Sequence, residues 1–220
     1  MRNVADKIIE LHRSLPEGVR LCAVSKFHPA EAVQEAYDVG QRIFGESRVQ
    51  ELVAKYEALP KDIEWQMIGH LQTNKVRAIV PFVSLIQSLD SPRLAETIDR
   101  EAERCGRATV DCLLEIHVAS EASKSGWEWG ELLAWLDGGA VATLPPLRIR
   151  GVMGMATNSD DETVVAADFA RLKAYFEILQ PRFGEAFDTL SMGMSDDYRL
   201  AIEQGSNMVR IGSSIFGERI

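Results

Sequence analysis

The stretch LIQSLDSPRLAETIDREAERCGRATVDCLLEIHV, residues 85–118, reads as strand, helix, strand. LIQSLD (85–90) is short and mostly apolar. Ser91 then stands as an N-cap, Pro92 at the first helical position and Gly106 at the stop, so one helix fills the interval. VDCLLEIHV (110–118) is the second strand. Two strands joined by a helical crossover run parallel, because the helix carries the chain back to the end from which it started.

The same unit repeats on both sides. Upstream lie RLCAVSK (20–26), RIFGES (42–47) and EWQMIG (64–69) as strands. Between them are PAEAVQEAYDVG, with Pro29 at an early helical position and Gly40 at its end, VQELVAKYEAL, and a helix-like run from Thr73 to about Ile79. Downstream come GWEWGELLAWL as a fifth helix, LRIRGVMGM (147–155), a long helix from Glu162 to Phe183, DTLSMGM (188–194), a short helix from Asp196 to Gln204, and MVRIGSSIF (208–216) as an eighth strand. Strict alternation of strand and helix calls for a parallel sheet, and eight repeats suggest closure into a (β/α)₈ barrel. An open doubly wound sheet would carry a G-x-G-x-x-G turn after the first strand, which is absent. The segment 3–14 reads as an extra helix packed outside the first repeat. No linker divides the chain, so a single domain over residues 1–220 is expected.

Composition limits the function. Hydrophobic residues at 46% and charged residues at 26% exclude disorder and fibrous repeats. With 24 Lys and Arg against 33 Asp and Glu, the net charge is −9. Such a surface repels phosphate backbones, which argues against general nucleic-acid binding. Cys22, Cys105 and Cys112 make an odd count without metal-ligand spacing, which suits a reducing compartment and predicts no metal site. The start, MRNVADKIIELHR, is charged throughout where a signal peptide needs an apolar run. The apolar run 78–86 is interrupted by Pro81 and too short to span a bilayer. A cytoplasmic protein without a membrane partner is expected.

Polar residues at the C-terminal ends of barrel strands mark active sites. Lys26 closes the first strand on the face of Cys22 and Val24, so a lumen orientation puts an amine in an enclosed mouth. Desolvation there favours the neutral amine, the nucleophile needed for Schiff-base formation with an aldehyde. A rim lysine bridging to a carboxylate is the alternative. LSMGMSDD (190–197) and RIGSSIFG (210–217) are strand-to-helix turns rich in small residues, which expose N–H groups and hydroxyls to an anion. The loops after strands seven and eight frequently bind phosphate in such barrels, and Arg210 adds a permanent charge. A phosphorylated aldehyde satisfies both the lysine and these turns. His70 after the third strand and His117 in the fifth read as rim or core histidines, Trp127, Trp129 and Trp135 as helix packing, Cys22 as a small core residue, and Lys124 as a loop lysine able to steer anions.

The runs AVSK (23–26), RIFGESRVQE (42–51), IGHLQTNK (68–75), SEASKSG (120–126), RGVMGM (150–155), LSMGMSDD (190–197) and MVRIGSSIFG (208–217) resemble the YggS/PROSC family of pyridoxal-phosphate-binding (PLP homeostasis) proteins. The blocks occur in the family order from about residue 20 to Gly217. The resemblance implies the fold-type III barrel of the alanine racemase N-terminal domain, with Lys26 holding pyridoxal 5'-phosphate (PLP) as an internal aldimine. It further implies that Ser191 and the Gly212–Ser213 turn hold the phosphate and that Arg210 faces the pyridine nitrogen. A guanidinium there disfavours protonation of the ring and weakens it as an electron sink. Ser47 stands where many members have asparagine, and offers one hydroxyl to the cofactor in place of an amide.

Racemases of this fold use a tyrosine from a further domain as second base. The sequence runs out directly after the eighth strand, and its four tyrosines fall in expected helices with only Tyr198 near a strand end. The expected function is therefore PLP holding for vitamin B6 homeostasis, and thereby amino-acid and keto-acid balance, without significant catalysis. A small amino-acid racemase is the alternative, and a colourless Schiff-base lyase acting on a phosphorylated sugar is a third reading. PLP-dependent client enzymes are expected partners, and a monomer is the expected state.

Overall fold

A run of short, mostly buried strands has to hide both faces, and here it does so by closing on itself. The computed structural model describes residues 3–121 and 125–217. Its strands are β1 (Arg20–Val24), β2 (Ile43–Glu46), β3 (Glu64–Met67), β4 (Leu85–Leu89), β5 (Val110–Glu115), β6 (Leu147–Met153), β7 (Thr189–Ser191) and β8 (Met208–Ile211). They pair in parallel and in sequence order, and β8 returns to β1 with Cys22 opposite Arg210. The (β/α)₈ barrel read from the sequence is the fold observed.

Alternation along each strand divides the core in two. Cys22, Leu85, Leu113, Met153 and Met208 cluster in the lumen. Their neighbours Leu21, Ala23, Cys112 and Leu114 join the larger core against the helices. Two residues beyond Cys22 and Leu113 on the lumen face stand Val24 and Glu115, so the same alternation delivers the residues of the barrel mouth.

The helices are α1 (Val4–Ser14), α2 (Ala30–Asp38), α3 (Val49–Ala58), α4 (Val76–Ile79), α5 (Pro92–Cys105), α6 (Trp129–Asp137), α7 (Glu162–Phe183), α8 (Tyr198–Glu203) and α9 (Ser213–Phe216). The extra helix α1 lies outside the ring against α2 and α9. Helix α5 begins at Pro92 and stops at Gly106, which takes the left-handed conformation at φ 72°. Its N-cap, Ser91, makes no capping bond to the helix. Its hydroxyl turns back to Asp90 instead, at 3.0 Å.

Three local expectations need correction. Pro29 is the N-cap of α2 rather than a residue inside it. Trp127 precedes α6 and pairs with Ile116 in an isolated bridge, its indole N–H donating to the Leu89 carbonyl at 2.9 Å. The eighth strand ends at Ile211, because Gly212 turns the chain and residues 213–216 close a helical turn. That turn forms part of the barrel mouth.

Candidate functional site

Lys26 follows β1 by two residues and lines a cavity of about 730 Å³ at the C-terminal mouth of the barrel. The chain around it is held from α3. Lys55, 6% exposed, donates from Nζ to the Ser25 carbonyl at 2.7 Å and to Glu46 Oε1 at 2.5 Å. The Ser25 hydroxyl donates to the same Glu46 oxygen at 2.6 Å. Beyond Lys26, the Phe27 N–H donates to Glu51 Oε2 at 2.7 Å, and the Arg48 guanidinium lies 4.6 Å from the centre of the Phe27 ring. Phe27 sits at φ 68°, alone among the described non-glycine residues in taking a positive φ. A left-handed residue of this size stores about 1–3 kcal/mol of strain. The bonds to Ser25 and Phe27 hold it there, so both neighbours of Lys26 are fixed. Burial raises the Glu46 carboxyl above its ordinary pKa, and Lys55 opposes that shift.

Arg210 on β8 forms the polar floor. It is 5% exposed. One amino group donates to the Ser191 carbonyl at 2.9 Å and its hydroxyl at 2.7 Å, and the other donates to the Gly154 carbonyl at 3.0 Å. The Ser191 hydroxyl donates onward to Gln87 Oε1 at 2.7 Å, and Gln87 Nε2 donates to Gln66 Oε1 at 2.5 Å. This chain of bonds crosses the lumen from β8 to β3 and fixes the guanidinium plane. Burial lowers the Arg210 pKa, and neighbouring Cys22, Glu115 and Asp197 pull it back up.

The sequence reading placed Ser191 on a phosphate. In the structure it is fully buried within β7, its hydroxyl engaged by Arg210 and Gln87, and it is not among the cavity-lining residues. The turn after it supplies Ser195 instead. The Gly212 and Ser214 N–H groups both point at Ser195 Oγ, at 3.2 and 3.4 Å. Gly212, Ser213 and Ser195 all line the cavity. A Cβ on Gly212 would lie 3.0 Å from the Val24 carbonyl oxygen, so glycine keeps this turn pressed against β1. Ser47 also lines the cavity, at the end of β2, and Gly69 crosses it so closely that a Cβ there would meet the Ser47 carbonyl oxygen at 2.6 Å.

The opposite wall is acidic. Glu115 ends β5, is 2% exposed and lines the cavity. Its Oε1 accepts from the Ser125 hydroxyl at 2.8 Å, while Oε2 has no hydrogen-bond partner among the described residues. Burial raises its pKa, with Asp90 adding to the rise and Arg210 and His70 opposing it. His70 Nδ1 pairs with Asp90 Oδ2 at 3.0 Å. His117 does not enter the cavity wall. It ties the following loop together through the Glu128 carboxylate at 2.9 Å and the Glu121 carbonyl at 3.0 Å. Lys124 lies outside the described residues. Glu115 escaped selection from the sequence, whereas Ser195 lies in the small-residue turn 190–197 read there as able to surround an anion. The usable signal for Glu115 was an acid two residues beyond a lumen-facing leucine, at the functional end of a strand.

A phosphorylated aldehyde with an aromatic ring asks for an amine, converging donors for the phosphate, and room for the ring. The cavity offers Lys26, the hydroxyl-bearing Ser195 and Ser213 beside the Gly212 turn, and a volume within the usual range for small-molecule sites. The residues fit such a group.

The comparisons agree. The family model described as alanine racemase, N-terminal domain, matches residues 1–220. A pyridoxal phosphate homeostasis protein of Aquifex aeolicus is 39% identical over 201 residues, covering 91% of this chain and 87% of its own. The protein of that name from Escherichia coli K12 is 42% identical over 213 residues, covering 93% and 87%. Among solved structures, PipY of Synechococcus elongatus PCC7942, solved with PLP bound, superposes with a TM-score of 0.88 at 37% identity, covering 98% of this chain and all of that one.

Proposed function

The chain belongs to the pyridoxal phosphate homeostasis protein family, and we propose that it binds PLP at Lys26 and holds it for intracellular vitamin B6 balance, with turnover at most incidental. The observation that carries this reading is one cavity joining Lys26 to the donor turn of Ser195 and Gly212. When bound, PLP supplies an aldehyde that a lysine amine can capture and a ring that withdraws electrons.

Lys26 is the attachment residue, and the bonds from Lys55 and Glu51 to its neighbours aim it into the cavity. Gly212, Ser213 and Ser195 hold the phosphate through N–H groups and hydroxyls. Arg210 would face the ring nitrogen, and its three bonds keep it from swinging away. A fixed cation there would disfavour a proton on that nitrogen, which suits storage better than carbanion chemistry. Ser47 lies on the rim as a single-hydroxyl contact. Among the described residues the cavity wall carries no tyrosine. Tyr198, on α8, has its hydroxyl beside Arg199 Nε at 3.3 Å. This supports holding over racemisation.

The single barrel domain acts as a monomer in the cytoplasm and passes PLP to PLP-dependent client enzymes, steadying amino-acid and keto-acid pools. No helix among the described residues is long and apolar enough to cross a membrane. Titration of PLP into the protein tests the reading. Wild type develops a visible absorption band that saturates at one equivalent, and Lys26→Ala develops none. Equal bands in both would overturn the assignment of Lys26.

A further inference from the structure

The cavity has two sides of opposite character. Toward β7 and β8 it presents donors, from Ser195, Gly212 and Arg210. Toward β4 and β5 it presents Glu115 with Asp90 behind it. Phosphate and lysine attachment use the donor side and leave the acidic side without a role. Glu115 is the sharpest feature there, because it is 2% exposed and its Oε2 meets no hydrogen-bond partner among the described residues. Retaining an unpaired buried carboxylate oxygen is costly, so its presence on a cavity wall points to a ligand that supplies the missing donor. The described residues contain no group of three or more His, Cys, Asp and Glu able to hold a metal ion. An anion is repelled by the same wall. A group that is both cationic and a hydrogen-bond donor remains.

We propose that Glu115, braced by Ser125 and backed by Asp90, is a subsite for the primary ammonium group of a small amine that approaches PLP held on Lys26. The inference rests on the Lys26 reading. Glu115 Oε2 accepts an N–H bond and then the proton itself. One N–H bond breaks and one O–H bond forms, the electron pair stays on nitrogen, and the ammonium becomes a neutral amine beside a protonated carboxyl. Burial makes Glu115 a stronger base than a solvated carboxylate, which suits this transfer. With PLP held on Lys26, a neutral amine at this subsite would stand where it could compete with the Lys26 amine for the aldehyde, and the subsite would make holding sensitive to free amines.

The test uses protein loaded with PLP and reduced with borohydride, so that displacement is blocked and only amine binding is read. Propylamine is titrated while pyridoxyl fluorescence is followed, with propanol as the uncharged control. Wild type binds propylamine and not propanol, and Glu115→Gln weakens propylamine by about tenfold or more. Asp90→Asn, which leaves Glu115 in place, weakens it less. Equal affinity in wild type and Glu115→Gln, or equal binding of propanol, overturns the subsite. If borohydride leaves no label on Lys26, the Lys26 reading has failed instead. Propylamine titration of the unlabelled protein, followed by amide NMR shifts at Glu115 and Ser125, then reads the subsite alone, and unmoved shifts overturn it. Matching amide spectra for wild type and Glu115→Gln away from β5 show that the variant folds.

Discussion

Lys55→Met removes the cation that neutralises Glu46 and anchors the chain before Lys26. Glu46 is fully buried and Lys55 is 6% exposed, so water screens neither. Breaking a buried pair by removing one partner costs about 3–5 kcal/mol, because the remaining charge is stranded. In a domain of this size that lowers Tm by about 6–20 °C. The loss depends on pH. The folded pKa of Glu46 already lies above its ordinary value through burial, with Lys55 holding it down. Without Lys55 it rises further, and the folded state then binds a proton that the unfolded state has released. Stability is therefore retained at low pH and lost as pH climbs toward the raised folded pKa, so the deficit against wild type is smaller at pH 5 than at pH 8. Adding Glu46→Leu recovers part of the deficit and flattens its pH dependence. The Ser25 carbonyl still lacks its donor, leaving about 1–3 kcal/mol. Urea unfolding of the cofactor-free variants at the two pH values measures all of this. A Lys55→Met protein within about 1 kcal/mol of wild type at pH 8 refutes the anchoring argument.

Arg210→Lys keeps the charge but cannot reproduce the fork to Ser191 and Gly154, so PLP affinity falls about tenfold or more by equilibrium titration. Inorganic phosphate raises Tm in wild type by mass action, with about 2.7 kcal/mol gained at a hundredfold excess over its Kd, and Gly212→Asp abolishes the gain in a thermal scan. Thiol titration at pH 8 finds Cys105 reactive in the native protein, while burial, which pushes the Cys22 thiol up to about 12 and raises Cys112 as well, keeps these two silent until denaturant is added. Gly151→Ala destabilises by more than about 4 kcal/mol in denaturant unfolding, because its Cβ would lie 1.8 Å from the Thr189 carbonyl oxygen.

The barrel was legible because each of its signals is local. Ser91, Pro92 and Gly106 bracket α5 without reference to any distant residue, and period-two alternation placed Lys26 on the face of Cys22 before any contact was known. Strand ends were less legible. Whether the chain after Ile211 continues as strand or turns at Gly212 depends on how closely β1 passes. The site divided in the same way. Lys26, Arg210, Ser47 and the Gly212–Ser213 turn all reach the cavity, since each lies at or just beyond the end of a strand or in its final turn. Ser191 stays off the cavity wall because its partner, Arg210, comes from the neighbouring strand and engages its hydroxyl. Glu115 and Lys55 were passed over for a related reason. A buried acid and a buried lysine acquire meaning only from what the fold brings beside them, and sequence spacing does not record that.

Borohydride reduction of the PLP-treated protein, followed by peptide mass mapping, tests the central claim most directly. The account predicts a pyridoxyl mass increment confined to the peptide containing Lys26, and its disappearance when inorganic phosphate competes during loading. An increment spread over surface lysines such as Lys61 and Lys75, with the Lys26 peptide unmodified, would contradict it.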